Sequence, residues 1–254
     1  MNSVTPAERV SPPVVIANRH KKRTAMMRQA ISQAMLYLVL LLGSVVMLLP
    51  LIWMLSTASK PIEETIIPEF RLIPSRFLLL QNLAAAFQRI SMIKFFTNSA
   101  IVSASVTVGR VFLCALAGYS FAKFTYPGRH LLFTLVLATM MIPFYVVVIP
   151  LYIVVYKLGW LNNLIALIVP GLVTAFGIFL MRQFILGIPS ELIDAARIDG
   201  ASELRIFLTI VLPLTKPALS TLAIFTFMST WDAYVWPMLV ITKEDLMTIP
   251  LGLA

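Results

Sequence analysis

Residues 186–217 carry groups able to make directed contacts: the carboxylates of Glu191, Asp194, Asp199 and Glu203, the guanidiniums of Arg197 and Arg205, and between them the small Ala195, Ala196, Gly200 and Ala201. That mixture suits recognition by another protein, because the charges set the sign of the surface and the low bulk lets a partner's backbone approach closely. A second group, Trp231, Asp232, Tyr234 and Trp236, joins aromatic rings to a carboxylate. Aromatic rings stack on the CH faces of sugars and a carboxylate accepts hydroxyl hydrogen bonds, so this run is a candidate lining for a solute pathway. Anchoring of Tyr234 and Trp236 at a membrane interface is the alternative. Arg110 and Asp232 lie deep in apolar runs at nearly matching depths, where an isolated charge is costly, so they are expected to pair or to face one polar pathway. Otherwise Arg110 would bond backbone carbonyls and Asp232 would cap a break near Pro237.

The elements that position these groups follow from composition. The chain has 254 residues, 59% hydrophobic and 12% charged, with a mean hydropathy of +0.92. An ordinary soluble domain is about half apolar and about a quarter charged, so this is an all-α polytopic membrane bundle. The net charge of +9 is spread along the chain rather than clustered with aromatics, which argues against a nucleic-acid partner. Cys114 is the single cysteine, and His20 and His130 have no metal-ligand spacing.

A crossing needs about 20 apolar residues, and about five such runs are present: 34–56, 96–122, 131–156, 164–185 and 218–241. The first is too long an apolar run for a cleaved signal peptide. Residues 1–33 read as a basic, disordered arm interrupted by Pro6, Pro12 and Pro13, with Lys21, Lys22 and Arg23 suited to lipid headgroups. Residues 57–95 read as a loop on the opposite side and 96–254 as the core domain. Arginine and lysine gather in the arm, around Lys123 and Arg129, and through 182–216, which places those segments and the N-terminus in the cytoplasm. The other side holds Lys60, Arg71, Arg76, Arg89 and Lys94, diluted by Glu63, Glu64 and Glu69.

Within 186–217, Ser190 is the expected N-cap of a short helix, with Glu191 and Asp194 near its positive end. Gly200 is free to take the left-handed conformation that stops it. A second helix should bury Leu204, Phe207, Leu208 and Val211 as a stripe, ending at Pro213 and Pro217. Such a pair could simply lie in the headgroups as a connector.

The spacing says more. Asp194-Ala195-Ala196, then Gly200, Ile210 and Leu212-Pro213 resembles the EAA loop of permease subunits of ATP-binding-cassette importers, with Asp194 standing where that family usually has Glu. The runs TNSAIVSASVTVGRVFLCALAGYSFAKF, MIPFYVVVIPLYIVVYKLGWLNNLIALIVP and TWDAYVWP resemble its oligosaccharide and polyol subclass, particularly the maltose-permease-like smaller subunit. The resemblance implies a second permease subunit, two ATPase subunits (or a homodimer) that grip the EAA loops, and an extracytoplasmic solute-binding protein, in a bacterial or archaeal cytoplasmic membrane. Glu191, Asp194, Ala195, Ala196, Asp199, Gly200, Ala201, Phe207, Ile210 and Pro213 would contact the ATPase. It also implies a non-enzymatic subunit with no cofactor of its own, ATP and magnesium being held by the partner ATPases; no G-x-x-x-x-G-K-[ST] phosphate loop is present. The resemblance also implies a sixth, C-terminal span, which is missing from the runs read up to Ala254. An ion-coupled secondary transporter or a non-transporting scaffold are the other classes; the first would place more ionisable groups in the membrane.

Overall fold

The computed structural model describes residues 15–66 and 71–254, all-helical among the elements assigned. Residues 1–14 of the arm, with Arg9 and its three prolines, and Glu69 lie outside the described residues, as do the side chains of Lys21, Lys22, Arg23 and Arg89. The chain divides into two compact units, 1–86 and 87–254.

In the first unit, α1 (Val15–Ala58) is one continuous helix. The arm expected to be disordered is therefore helical from Val15. No proline interrupts the chain between Pro13 and Pro50, and Ala, Met, Lys, Arg and Gln are good helix formers. From Met26 the surface of α1 is apolar and exposed, as a span facing lipid or another subunit requires. Its end is tied down locally. The Asn82 side-chain amide donates to the Ala58 and Lys60 carbonyls, both at 2.9 Å, and the buried Lys60 ammonium sits 4.5 Å from the Trp53 ring. A short α2 (Ile62–Ile66) and the start of α3 (Leu79–Arg89) complete the unit. Hydrogen bonding from Ser75, first from its side chain and then from its N–H, holds the Glu64 carboxyl below the usual carboxylate range.

The second unit is built around α4 (Met92–Lys123), long and apolar enough to cross a membrane. Against it pack α8 (Ala175–Leu186) and α12 (Lys216–Trp231). The α4–α8 contact is close because small residues line it. A Cβ on Gly118 would lie 2.8 Å from the Arg182 backbone nitrogen and from Met181 Cβ, and one on Gly177 would lie 2.7 Å from Cys114 Sγ. Membrane helices associate mainly through such packing, since lipid supplies no hydrophobic drive between them.

The remaining runs are not single straight helices. The run expected as one span over 131–156 is split into α5 (Arg129–Thr139) and α6 (Phe144–Lys157), bent by 101°. Pro143 disfavours helical backbone at Ile142 and offers no N–H, so hydropathy continues across a point where the helix cannot. The fourth run becomes α7 (Ile165–Ile168), a tight turn through Gly171, and α8, bent by 41°. The fifth is interrupted at Asp232–Tyr234, between α12 and a short helix at Val235–Val240. Among the described residues two helices are long and apolar enough to cross a membrane, and up to five crossings result if each bent pair is one span.

After these, a turn at Glu244–Leu246 and a short helix at Ile249–Gly252 run beside the start of α4. Lys94 pairs with Asp245 at 2.5 Å, Asn98 donates to the Asp245 and Met247 carbonyls, and Ser99 accepts from Ile249 N–H.

Candidate functional site

Residues 186–217 fold as two helical pieces about a tight turn. Here α9 (Ser190–Ile198) starts after Pro189, and Ser190, expected as its N-cap, is instead its first helical residue. The Ser190 hydroxyl accepts from Lys123 Nζ at 3.3 Å, and the same ammonium donates to the Ile188 carbonyl at 2.5 Å. The foot of α4 thereby holds the start of α9.

The exit of α9 closes with paired bonds: Ala201 N–H donates to the Ala196 carbonyl at 2.9 Å and Gly200 N–H to the Arg197 carbonyl at 3.0 Å. This pattern requires a left-handed residue after the helix, and Gly200 has φ of +80°. The sequence expectation for Gly200 holds. Ser202 then caps α10 (Glu203–Ile206) through Arg205 N–H.

The next turn departs from expectation. Phe207–Val211 winds as a π-helix before α11 (Leu212–Leu214), which contains Pro213. A proline ring clashes with the carbonyl four residues before it, here Thr209, and a widened turn relieves that clash. The extra residue shifts the buried stripe. Ile206, Phe207 and Val211 are fully buried, whereas Leu204 and Leu208, expected inside, are exposed at 57% and 44%. The chain then turns 81° into α12, so these pieces cross the direction of the span.

Burial divides the expected contact residues. Glu191, Asp194, Ala195, Asp199 and Gly200 form an exposed edge, and Pro213 is exposed. Ala196, Ala201 and Ile210 are half-buried against the core formed with α4 and α8. Phe207 is no surface residue: its ring stacks on Tyr119 at 5.7 Å and meets Phe112 edge-on at 5.9 Å. It roots the segment in the bundle. Sequence reasoning missed Ile198, 86% exposed beside Gly200, an apolar tip on an otherwise charged edge. Its place opposite the buried Ile193 on α9 was the available signal.

Also unforeseen is a polar clasp. Arg197 Nε donates to Glu203 Oε1 at 2.6 Å, Arg197 Nη1 to Asp194 Oδ1 at 2.9 Å, and Tyr119 Oη to Glu203 Oε2 at 2.8 Å. It ties both helical pieces to α4. The Arg197 guanidinium holds the Glu203 carboxyl below the usual range, and the carboxylates hold Arg197 charged. With its pKa depressed in the folded state, Glu203 contributes fully above the ordinary carboxylate pKa of about 4.3. That contribution is lost as pH falls through the lowered value. Tyr119→Phe is expected to loosen the clasp while keeping the ring stack, raising amide exchange across residues 197–206 several-fold with little change in α4; unchanged exchange there would show that the hydroxyl holds nothing.

Of the second group, Tyr234 and Trp236 line a cavity of about 440 Å³, and Trp231 and Asp232 do not. Arg110, Tyr145, Thr174, Thr230, Tyr234 and Trp236 are among its lining residues. The breaks between α5 and α6, between α7 and α8, and after α12 at Asp232–Tyr234 supply lining residues or directly precede them, so non-helical backbone gathers where a cavity can solvate it. Arg110 and Asp232 do not pair. Arg110 Nε donates to the Gly171 carbonyl at 2.7 Å, while Asp232 is exposed and ends α12. Helical rise gives position along an axis, but it does not fix the direction in which a side chain leaves that axis. Trp231 packs between Phe96 and Phe227, off the cavity lining, and Trp236 Nε1 donates to the Ala166 carbonyl at 2.9 Å. Among the described residues no cluster of His, Cys, Asp and Glu could hold a metal ion.

Residues 111–253, which carry the clasp, the helix pair and most of the cavity, match the family of binding-protein-dependent transport system inner membrane components. The chain belongs to this family. It is a transport component of the inner membrane, not a catalyst. Among its relatives, the arabinooligosaccharides transport system permease protein AraQ of Bacillus subtilis is 31% identical over 93% of this chain and 83% of its own length. AraQ of Halalkalibacterium halodurans is 40% identical over 63% of this chain, an alignment spanning only 57% of that relative. The sn-glycerol-3-phosphate transport system permease protein UgpE of Escherichia coli is 35% identical over 84% of this chain and 78% of its own. The fold resembles a crystal structure of a bacterial ABC transporter involved in the import of the acidic polysaccharide alginate, with a TM-score of 0.70 and 23% identity, over 95% of this chain and 80% of that one.

Proposed function

We propose that this chain is the permease subunit of an ATP-driven, binding-protein-dependent importer of saccharides or related polyols. Family membership and the names of the relatives support that class. The carrying observation is the α9–Gly200–α10 pair: an exposed acidic edge with a small-residue turn, rooted by Phe207 and clasped to α4. In this reading the edge of Glu191, Asp194, Ala195, Asp199 and Gly200, tipped by Ile198, docks on an ATPase subunit that binds ATP and magnesium. A second permease subunit completes the pathway and a solute-binding protein delivers cargo to its outer mouth. The N-terminus and the helix pair face the cytoplasm, in keeping with the distribution of arginine and lysine.

Closure of the ATPase subunits would push the pair. Because Phe207, Val211 and the Tyr119–Glu203 bond join it to α4, the push reaches the α4–α8 core as a lever stroke, and the helix breaks around the cavity absorb the bending. Asp194 tests the docking role. It lies on the exposed edge and near the N-terminal end of α9, where negative charge is favoured by about 0.3–1 kcal/mol. Asp194→Lys is expected to leave membrane insertion intact and to lower solute-stimulated ATP hydrolysis in proteoliposomes about tenfold. Wild-type stimulation in that variant would remove the coupling role.

A further inference from the structure

Arg110 is the one charged side chain among the residues lining the 440 Å³ cavity, and no carboxylate lines it. Its Nε is spent on the Gly171 carbonyl, and neither η nitrogen has a hydrogen-bond or ion-pair partner among the described residues. A guanidinium with free donors at this depth is expensive unless something anionic or aqueous meets it. The first residues of α6, Phe144 and Tyr145, and the N-cap of α8, Thr174, line the same space. Helix starts carry partial positive charge and add to the arginine's sign. The rest of the lining fits a polyhydroxylated body: hydroxyls from Thr174, Ser229, Thr230, Tyr145 and Tyr234, and the Trp236 ring. Trp236 keeps its N–H on the Ala166 carbonyl, which fixes its ring.

We infer that this cavity takes an anionic solute, a carbohydrate or polyol bearing a carboxylate or phosphate, which Arg110 binds through its free η nitrogens while the hydroxyls and rings hold the sugar-like portion. Guanidinium suits both anions, because its planar fork matches two oxygens at once. The inference rests on the importer reading above and narrows its substrate class.

The test uses the complete importer in nanodiscs, this chain with its partner permease, ATPase subunits and solute-binding protein. The probes are sn-glycerol 3-phosphate and digalacturonate, each against its neutral counterpart, glycerol and galactobiose. The anionic member of at least one pair should stimulate ATP hydrolysis and the neutral member should not; which pair responds separates phosphate from carboxylate. Arg110→Gln should cut that stimulation at least tenfold, and Arg110→Lys, which keeps the charge, should stay within about threefold of wild type. Equal stimulation by neutral probes, unchanged in Arg110→Gln, overturns the anion site and leaves the importer reading standing. Stimulation by neither class overturns both. If Arg110→Gln instead releases the partner permease, the arginine is satisfied across that interface and the anion site falls.

Discussion

Replacing Gly118 by alanine and then valine should unseat α8 from α4 in two steps. The alanine Cβ alone would sit 2.8 Å from the Arg182 backbone nitrogen and from Met181 Cβ, and 3.0 Å from the Met181 carbonyl carbon. Two of those three atoms belong to backbone, so no rotamer change relieves the contact and the helices must move apart. Overpacking a core costs about 1–3 kcal/mol, and a clash against backbone belongs at the upper end. Separation also opens the apolar contacts of Cys114, Ala115, Ile178 and Met181, all in the same buried cluster. Thermal unfolding of the purified complex in nanodiscs should show a graded fall, valine below alanine. A valine variant as stable as wild type would mean that the helices never approach this closely in the bilayer.

Gly200→Val should disable coupling without disturbing the membrane core. At φ of +80° a side chain is strained by about 1–2 kcal/mol, and more when β-branched. The loss is conformational within this chain, since a Cβ at Gly200 meets nothing within 4 Å. Each 1.4 kcal/mol is about tenfold in an equilibrium constant, so the ratio of closed to open turn drops by about that factor and the Ala201–Ala196 closing bond weakens with it. Gly200→Asn separates geometry from bulk, because asparagine tolerates the left-handed region. Solute-stimulated ATP hydrolysis should fall about tenfold for valine and stay near wild type for asparagine. Equal loss in both variants would point to crowding by the partner, and no loss in valine would remove the turn from the coupling surface.

How far the sequence could be read depended on which property each feature obeyed. The helix pair and its stop were legible because Gly200 and the preceding acids act locally, through backbone freedom and charge near a helix end. The buried face of the second piece was misread because a period of 3.6 was carried through Phe207–Val211, where Pro213 forces a wider turn. Hydropathy drew a single span over 131–156 because it counts side chains and is blind to the backbone restriction before Pro143. Counting along the helices suggested a match between Arg110 and Asp232, but the count carries no side-chain direction, and the carbonyl of Gly171 takes the Nε bond from a turn that no apolar count reveals. The clasp of Tyr119, Arg197 and Glu203 joins residues far apart in the chain, and nothing in local pattern selects that pairing over others.

The widened turn at Phe207–Val211 also bears on how such a chain can change over generations. An α-helical residue advances the chain by about 100°, so gaining one residue between Glu203 and Leu212 beyond the one the widened turn absorbs would swing everything downstream by about that angle, while losing one would restore ordinary winding. In the first case Val211, fully buried, would rotate toward the surface, and in the second Pro213 would bring its clash back. Length between the acidic edge and α12 is therefore frozen, while the identities of exposed residues such as Leu208 and Thr209 remain open to drift. Insertions and deletions should be purged here far more severely than substitutions, and a homologue that did gain or lose a residue would have to relocate its proline in the same step.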